Sequence, residues 1–229
     1  MSCTARSSLV AGIQSRAYSL LAMEHGGFRL TAPPQEARVP ILTTERLLLR
    51  SLRASDLDDY AAMYADREVL RYLAGGPEPW DRCRSWRQMA LLVGHWQLVG
   101  SGMWAMEHRG SGAFVGMVGF AAPEGWPGFE LAWALSRQWW GHGYATEGAR
   151  AALAHAFNTL EKDRIMSLVH PENRASIRVA ERIGERLQGC INHLGREMLS
   201  YGLDRATYLR KVALHATAAP SLAICCDIP

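Results

Sequence analysis

Gln138, Gly141 and Gly143 fall in one short stretch, Leu131–Gly148, where an apolar run breaks into Gln138-x-x-Gly141-x-Gly143 and then turns amphipathic. Strand, glycine turn and helix in that order leave backbone N–H groups unpaired at a helix N-terminus. Those groups and the helix dipole both favour an anion. Without a Cβ at 141 and 143, a phosphate can come close to the chain and the turn can take positive φ. Two other phosphate-binding patterns fit less well. A P-loop needs a Lys after its last glycine, and none follows here. A dinucleotide fingerprint needs Gly or Ala where the chain has Thr146, and its ribose-binding acid should end the next strand, whereas Asp163 precedes one.

The elements that carry this turn are legible on either side of it. Arg46–Arg53 reads as a strand, and Ser55 can cap a helix over Asp56–Ala65. A longer helix is expected from Asp81 to Leu98, then a hairpin of Met103–His108 and Ala113–Ala121, then a strand Phe129–Leu135. After the turn, Ala145, Ala149, Ala152, Leu153, Ala156 and Phe157 make one apolar stripe at helical spacing. Arg164–His170 is the next strand, and Arg174–Ile183 a helix closed by Gly184. Two late strands lie near Leu187–His193 and Glu197–Leu203. Strands interleaved with helices in this way predict an α/β domain with a mixed sheet.

At 229 residues the chain can bury one full core, and 48% hydrophobic with 21% charged residues is ordinary for a globular protein. A formal charge of +3 gives no case for nucleic acid, and no apolar run approaches the ~20 residues of a membrane span. Cys3, Cys83, Cys190, Cys225 and Cys226 form no CxxC, so free thiols in a reducing cytoplasm are expected. The histidines are scattered, and no metal is expected. Residues 1–38 lack periodicity and read as a disordered or variable N-terminal extension, with a faint basic, Ser-containing echo of a transit peptide. The domain is expected over 39–210 and a C-terminal tail over 211–229.

Four pieces carry a family resemblance: Thr44-Glu45-Arg46-Leu47-Leu48-Leu49-Arg50, Trp140-Gly-His-Gly-Tyr-Ala-Thr-Glu147, His170-Pro-Glu-Asn173-x-x-Ser176, and Ile183-Gly184. With the glycine turn, they make the chain resemble the GNAT acyl-CoA acyltransferases over roughly 42–208, and within them the RimJ/RimL-like branch. The chain departs from that pattern after Gly184, where Glu185 stands at the usual Phe position. The resemblance implies the GNAT fold: a central, mostly antiparallel sheet of about seven strands, splayed at the cofactor site and flanked by about four helices. It also implies acetyl-CoA as acyl donor. Backbone groups of Ala134, Leu135 and Ser136 would meet its pantetheine arm. The N–H groups from Gly141 through His142, Gly143 and Tyr144 to Ala145 would hold its pyrophosphate, with Gln138 and Thr146 adding side-chain donors.

Each of these residues also has a plainer role. Thr146 can satisfy its own helix start, His142 can point to water, and Asn173 can cap its helix while contacting the pantetheine arm. Ser176 is the candidate for protonating the departing thiolate. Glu130, in an otherwise apolar strand, is the candidate base for the acceptor amine; alternatively it is a strand-end carboxylate in water. Trp80 and Trp126, beside prolines, are candidates for the acceptor pocket or for core. The implied activity is direct acetyl transfer to a primary amine, either a protein N-terminus or a small molecule, by a monomer or homodimer through a ternary complex. The alternatives are a silent CoA-binding regulatory module and, more remotely, a nucleotide-dependent oxidoreductase.

Overall fold

In the computed structural model, residues 39–73 and 76–217 are described. The extension expected over 1–38 lies outside them. The elements run β1 (Leu42–Thr43), β2 (Leu47–Arg50), α1 (Leu57–Ala65), α2 (Arg67–Leu70), α3 (Arg82–Val99), β3 (Met103–His108), β4 (Phe114–Ala121), β5 (Glu130–Leu135), α4 (Tyr144–Asn158), β6 (Arg164–Val169), α5 (Arg174–Ile183), β7 (Arg186–His193), β8 (Arg196–Asp204) and α6 (Arg205–Thr217). The strands form one eight-stranded sheet in the order β1-β2-β3-β4-β5-β6-β8-β7, antiparallel at every step except β5 to β6. This is the expected mixed α/β architecture with one short strand and two helices more than the sequence suggests.

Helices cover both faces of the sheet, as its buried central strands require. The stripe read on α4 packs as expected: Ala149, Ala152, Leu153, Ala156 and Phe157 are buried against Leu47, Trp104, Val118, Phe120 and Leu131. At about 1.5–3 kcal/mol for each large apolar side chain removed from water, this layer is the main source of stability. A Cβ on Gly148 would stand 2.8 Å from Met106 Sδ, so glycine lets α4 lie close on the sheet. On the opposite face α1 and α3 bury Tyr60, Met63, Tyr64 and Met89 against Met103, Phe114 and Met117. A smaller group, Val169, Ile177, Ala180 and Tyr201, seats α5.

The first strand and helix differ from expectation for identifiable reasons. β2 ends at Arg50, whose buried guanidinium pairs with Asp56 at 2.8 Å and with Glu107 at 2.6 Å and draws the chain into a 3-10 turn at Ala54–Asp56. Ser55 lies inside that turn and is not the cap; the Asp56 carboxylate instead accepts from the Arg53 N–H at 2.7 Å. The last helix, α6, runs across residue 211, where the sequence places the start of a tail. Its start is fixed by Asp204, which accepts from the Thr207 N–H at 2.8 Å.

What positions the site is the parting of β5 from β6. β4 and β5 are paired along their length, from Gly116 opposite Leu135 to Ala121 opposite Glu130. The parallel pairing of β5 with β6 holds only Glu130 against Met166, with the Met166 N–H donating to Phe129 O at 3.1 Å. Two residues further on, a continued ladder would join the Leu168 N–H to Leu131 O. That rung is broken. The Leu168 N–H goes to Glu130 Oε1 at 3.4 Å, and Leu131 O accepts from the Ser167 hydroxyl at 2.7 Å.

Candidate active site

Beyond the broken rung, backbone groups of β5 face an open split. N–H and C=O of one strand residue point to the same side, alternating along the strand. Ser136 N donates to Val115 O at 3.0 Å, so Ser136, Ala134 and Ala132 direct their backbone groups at β4. Trp133 and Leu135 therefore direct theirs into the split. Of the three backbone positions expected to meet a ligand arm, only Leu135 faces the gap, and its carbonyl accepts from Trp140 Nε1 at 2.8 Å. Trp133 was missed by the sequence reading; strand parity would have found it once the pairing with β4 was known.

The glycine turn closes the open end of the split. Gly141 and Gly143 have φ of +80° and +82°, values that only glycine takes without strain, so both positions require it. The first helical hydrogen bond of α4 runs from Glu147 N to Gly143 O at 3.0 Å. The amides from Gly143 through Tyr144 and Ala145 to Thr146 thus lack helical acceptors and form the N-terminal anion site. The Trp140 indole, tied to Leu135 O, fixes the turn to the end of β5. His142 is exposed, with its ring stacked on Tyr144 at 5.8 Å. Gln138 sits exposed in a 3-10 turn, Arg137–Trp139, outside the groove lining.

A groove of about 460 Å³ runs from this turn along the split to α5. It brings together Ala134, Leu135, Gly141, Gly143, Tyr144, Ala145 and Thr146 with Asn173 and Ser176, which the sequence had placed in one site. Asn173 caps α5, its Oδ1 accepting from Ser176 N at 3.1 Å. The Ser176 hydroxyl accepts from Trp133 Nε1 at 3.2 Å, so its own proton is left to be donated elsewhere. Arg174, Arg178 and Arg182 also line the groove. Their i, i+4, i+8 spacing was a readable signal of a basic helix face that the sequence reading did not use.

Glu130 stands at the closed end, outside the groove lining and only 7% exposed. Burial pushes its carboxyl up to about 7, against the lowering effect of Trp126 Nε1, which donates to Oε2 at 2.6 Å, and of the Leu168 N–H. It is not a strand-end carboxylate in water. Trp126 also packs edge-on against His193, ring centroids 4.3 Å apart, so this tryptophan orients Glu130. Trp80 stacks flat on Tyr64 at 4.3 Å in the α1–α3 core and stands away from the groove.

A second arrangement ties the glycine turn to the first strands. Glu147 Oε1 accepts from Thr44 Oγ1 at 2.6 Å and from Arg46 N at 2.8 Å, while Oε2 pairs with the Arg46 guanidinium at 2.6 Å. Arg46 also donates to His142 O at 3.0 Å and lies over the Tyr144 ring at 4.6 Å. Burial raises the Glu147 carboxyl, but these hydrogen bonds and the Arg46 charge outweigh it and leave the group below its ordinary value. Among the described residues no helix is long and apolar enough to cross a membrane.

The described geometry agrees with the comparisons to known proteins. An acetyltransferase (GNAT) domain profile matches residues 46–186. The uncharacterized protein YkkB of Bacillus subtilis (strain 168) is 29% identical over 73% of this chain and 96% of its own length. The uncharacterized N-acetyltransferase p20 of Bacillus licheniformis is 27% identical over 66% of this chain and 84% of its own. The crystal structure of an acetyltransferase from Agrobacterium tumefaciens str. C58 superposes with a TM-score of 0.65 at 30% identity, covering 80% of this chain and 99% of that one. GNAT acetyltransferases use acetyl-CoA as their acyl donor. The chain belongs to the GNAT acetyltransferase family and is an acyltransferase.

Proposed function

We propose that the enzyme acetylates a primary amine directly from acetyl-CoA, through a ternary complex, with Glu130 as the base. The observation that carries this is the position of Glu130: a buried carboxyl, held by two N–H donors and raised to about 7, at the closed end of a split whose open end presents unpaired helix amides. Such a group is about half ionised at neutral pH, mostly ionised just above it, and basic enough to take a proton.

The amides of Gly141 to Thr146 hold the pyrophosphate, with His142 and Gln138 at its exposed edge and the arginines of α5 adding positive charge. The pantetheine arm lies in the split against Trp133 and Leu135, and the spare amide nitrogen of Asn173 donates to it. Glu130 takes a proton from the acceptor ammonium, directly or through water. The amine nitrogen then bonds to the acyl carbon, the N–H of Trp133, which faces the split between Leu135 and Glu130 and whose indole meets Ser176, stabilises the oxyanion, and the carbon–sulfur bond breaks. The second proton that the nitrogen sheds as the amide forms passes through Ser176, which gives its own to the thiolate and takes this one in return, so CoA departs as the thiol; because a thiol leaves readily, this contributes modestly. Ala134 lines the groove, Ser136 ties β5 to β4 behind it, Trp126 orients Glu130, and Trp80 supports the α1–α3 layer.

The acceptor is a protein N-terminus or a small amine. Two proteins of this fold bracket the choice. RimL, a ribosomal L7/L12 alpha-N-protein acetyltransferase solved with coenzyme A, has TM-score 0.63 at 17% identity and covers 72% of this chain. Spermidine N-acetyltransferase from Vibrio cholerae, solved with CoA and spermine, has TM-score 0.60 at 20% identity and also covers 72%. We place this chain in the cytoplasm with the RimJ/RimL-like branch, as a monomer or homodimer. The test is mass-spectrometric detection of an acetylated product across polyamines, amino acids and N-terminal peptides with acetyl-CoA. One class gaining a single acetyl group in an enzyme-dependent way supports the reading. No product from any class, with acetyl-CoA bound, refutes amine transfer.

A further inference from the structure

Behind the broken rung lies a second buried carboxyl that the chemistry above does not use. Glu185 follows the C-terminal glycine of α5, is 0% exposed, and its Oε1 lies 3.0 Å from Ser167 Oγ. Its Oε2 is buried with no hydrogen-bond partner among the described residues. Ser167 Oγ is also 2.7 Å from Leu131 O. A hydroxyl has one proton, and a backbone carbonyl can only accept. The shorter contact therefore takes the Ser167 proton, and the contact to Glu185 is a hydrogen bond only if Glu185 donates. An ionised carboxylate there would face a lone pair on one oxygen and nothing on the other, at full desolvation cost.

Glu130 is the opposite case: both its oxygens accept, from Trp126 Nε1 and from the Leu168 N–H. The two carboxyls reach the same broken rung, Glu130 at its N–H and Glu185 through Ser167 at its C=O. We propose that Glu185 is a positioning residue that keeps a proton at neutral pH, so that Glu130, rather than Glu185, is the ionised member of the pair and the split is held open from behind. This rests on the reading of Glu130 as base.

Burial pushes Glu185 up to about 8, opposed by Ser167 and reinforced by the charge of Glu130, itself at about 7. The surrounding elements also carry titratable or charged groups: Arg174, Arg178, Glu181, Arg182 and Arg186 in its own segment, Tyr144, Glu147, Arg150 and His155 on α4, Arg164 on β6, Arg196, Glu197, Tyr201 and Asp204 on β8, and Arg205, Tyr208, Arg210 and Lys211 on α6. Several are engaged elsewhere: Arg150 donates to Arg182 O at 3.1 Å and Lys211 to Gly184 O at 3.1 Å. When Glu185 ionises, Ser167 turns to it, Leu131 O loses its donor, and a second negative charge joins Glu130 across the rung.

The experiment compares wild type with Glu185→Gln, whose side-chain amide can donate to Ser167 as the acid does. An infrared spectrum at pH 7 should show protonated-carboxyl absorption of which Glu185→Gln removes the larger part and Glu130→Gln the smaller, since Glu185 holds its proton to about 8 and Glu130 to about 7. In pH–rate profiles, Glu185→Gln should keep kcat/KM within about twofold of wild type near neutrality and lose the fall in rate above about pH 8. Absence of a Glu185-dependent band overturns the assignment of the proton. A folded Glu185→Gln enzyme at least tenfold slower at pH 7, or one with an unchanged alkaline fall, overturns the positioning role. The infrared result needs no acceptor, so it stands apart from any failure to acetylate amines.

Discussion

Glu147 and Arg46, 101 residues apart in the chain, make one clamp: the carboxylate takes the Arg46 backbone N–H at 2.8 Å and its side-chain Nε at 2.7 Å. One end of the clamp is the first turn of α4, immediately after the amides of the anion site. The other is the entry to β2. Through the bond from Arg46 to His142 O, the clamp fixes the carbonyl side of the turn and keeps its N–H groups directed outward. Glu147 at a helix start is also favourable to the dipole, but its hydrogen bonds explain why the residue is an acid with this reach.

Removing the clamp should therefore loosen the phosphate site without touching the chemistry. For Arg46→Ala we expect the KM for acetyl-CoA to rise about tenfold, some 1.4 kcal/mol, with kcat near wild type. Arg46 is partly exposed, so the loss of stability should stay near 1 kcal/mol or below. Steady-state kinetics with varied acetyl-CoA and a urea unfolding curve check the two halves; an unchanged KM would detach the clamp from donor binding.

Gly143 is the position where backbone conformation and ligand charge coincide. Gly143→Glu puts a side chain at φ +82° and a carboxylate beside the unpaired amides. Acetyl-CoA binding by calorimetry should be lost while the protein remains folded by circular dichroism. Retained binding would place the donor elsewhere.

Glu130 and Glu185 both have carboxyls raised by burial, to about 7 and about 8, from an ordinary value of 4.5. Between pH 4.5 and 8 the folded protein then holds more protons than the unfolded chain. This contribution to stability is complete below about pH 4.5 and is lost as pH rises through 7 to 8. Urea midpoints should fall between pH 5.5 and 8.5, and Glu185→Gln, which cannot bind that proton, should flatten the fall. Parallel curves for the two proteins would show that Glu185 is not a buried acid.

Much of the groove was legible because its signals are local. The glycines report positive φ, the α4 stripe reports its buried face, and Gly184 reports the end of α5 with φ +98°. What stayed hidden depends on contacts between distant segments. Glu185 was visible as an acid where the family has Phe, but its role depends on Ser167, 18 residues away, and on Leu131, 36 residues from Ser167. Thr44 and Arg46 were quoted as a motif, and Glu147 as the end of another; nothing in either segment says they bond. The part of α6 from residue 211 on reads as tail in the sequence because the helix's apolar residues make no stripe: Leu209, Val212 and Leu214 are exposed, while Tyr208 packs on Phe157, ring centroids 4.9 Å apart. Ser136 and Ala134 were assigned to the split because strand parity depends on a register that a single strand does not reveal.

The central claim is that Glu130 removes the amine proton. Its most direct test is the pH dependence of kcat/KM for wild type and Glu130→Gln on the same amine. Wild type should lose rate as pH falls through about 7, when Glu130 is protonated. The variant should be about 10²-fold slower near neutrality and recover toward the amine's own pKa, where the acceptor is free without help. A variant within about twofold of wild type at pH 7, less than ~0.4 kcal/mol of barrier, would contradict the assignment.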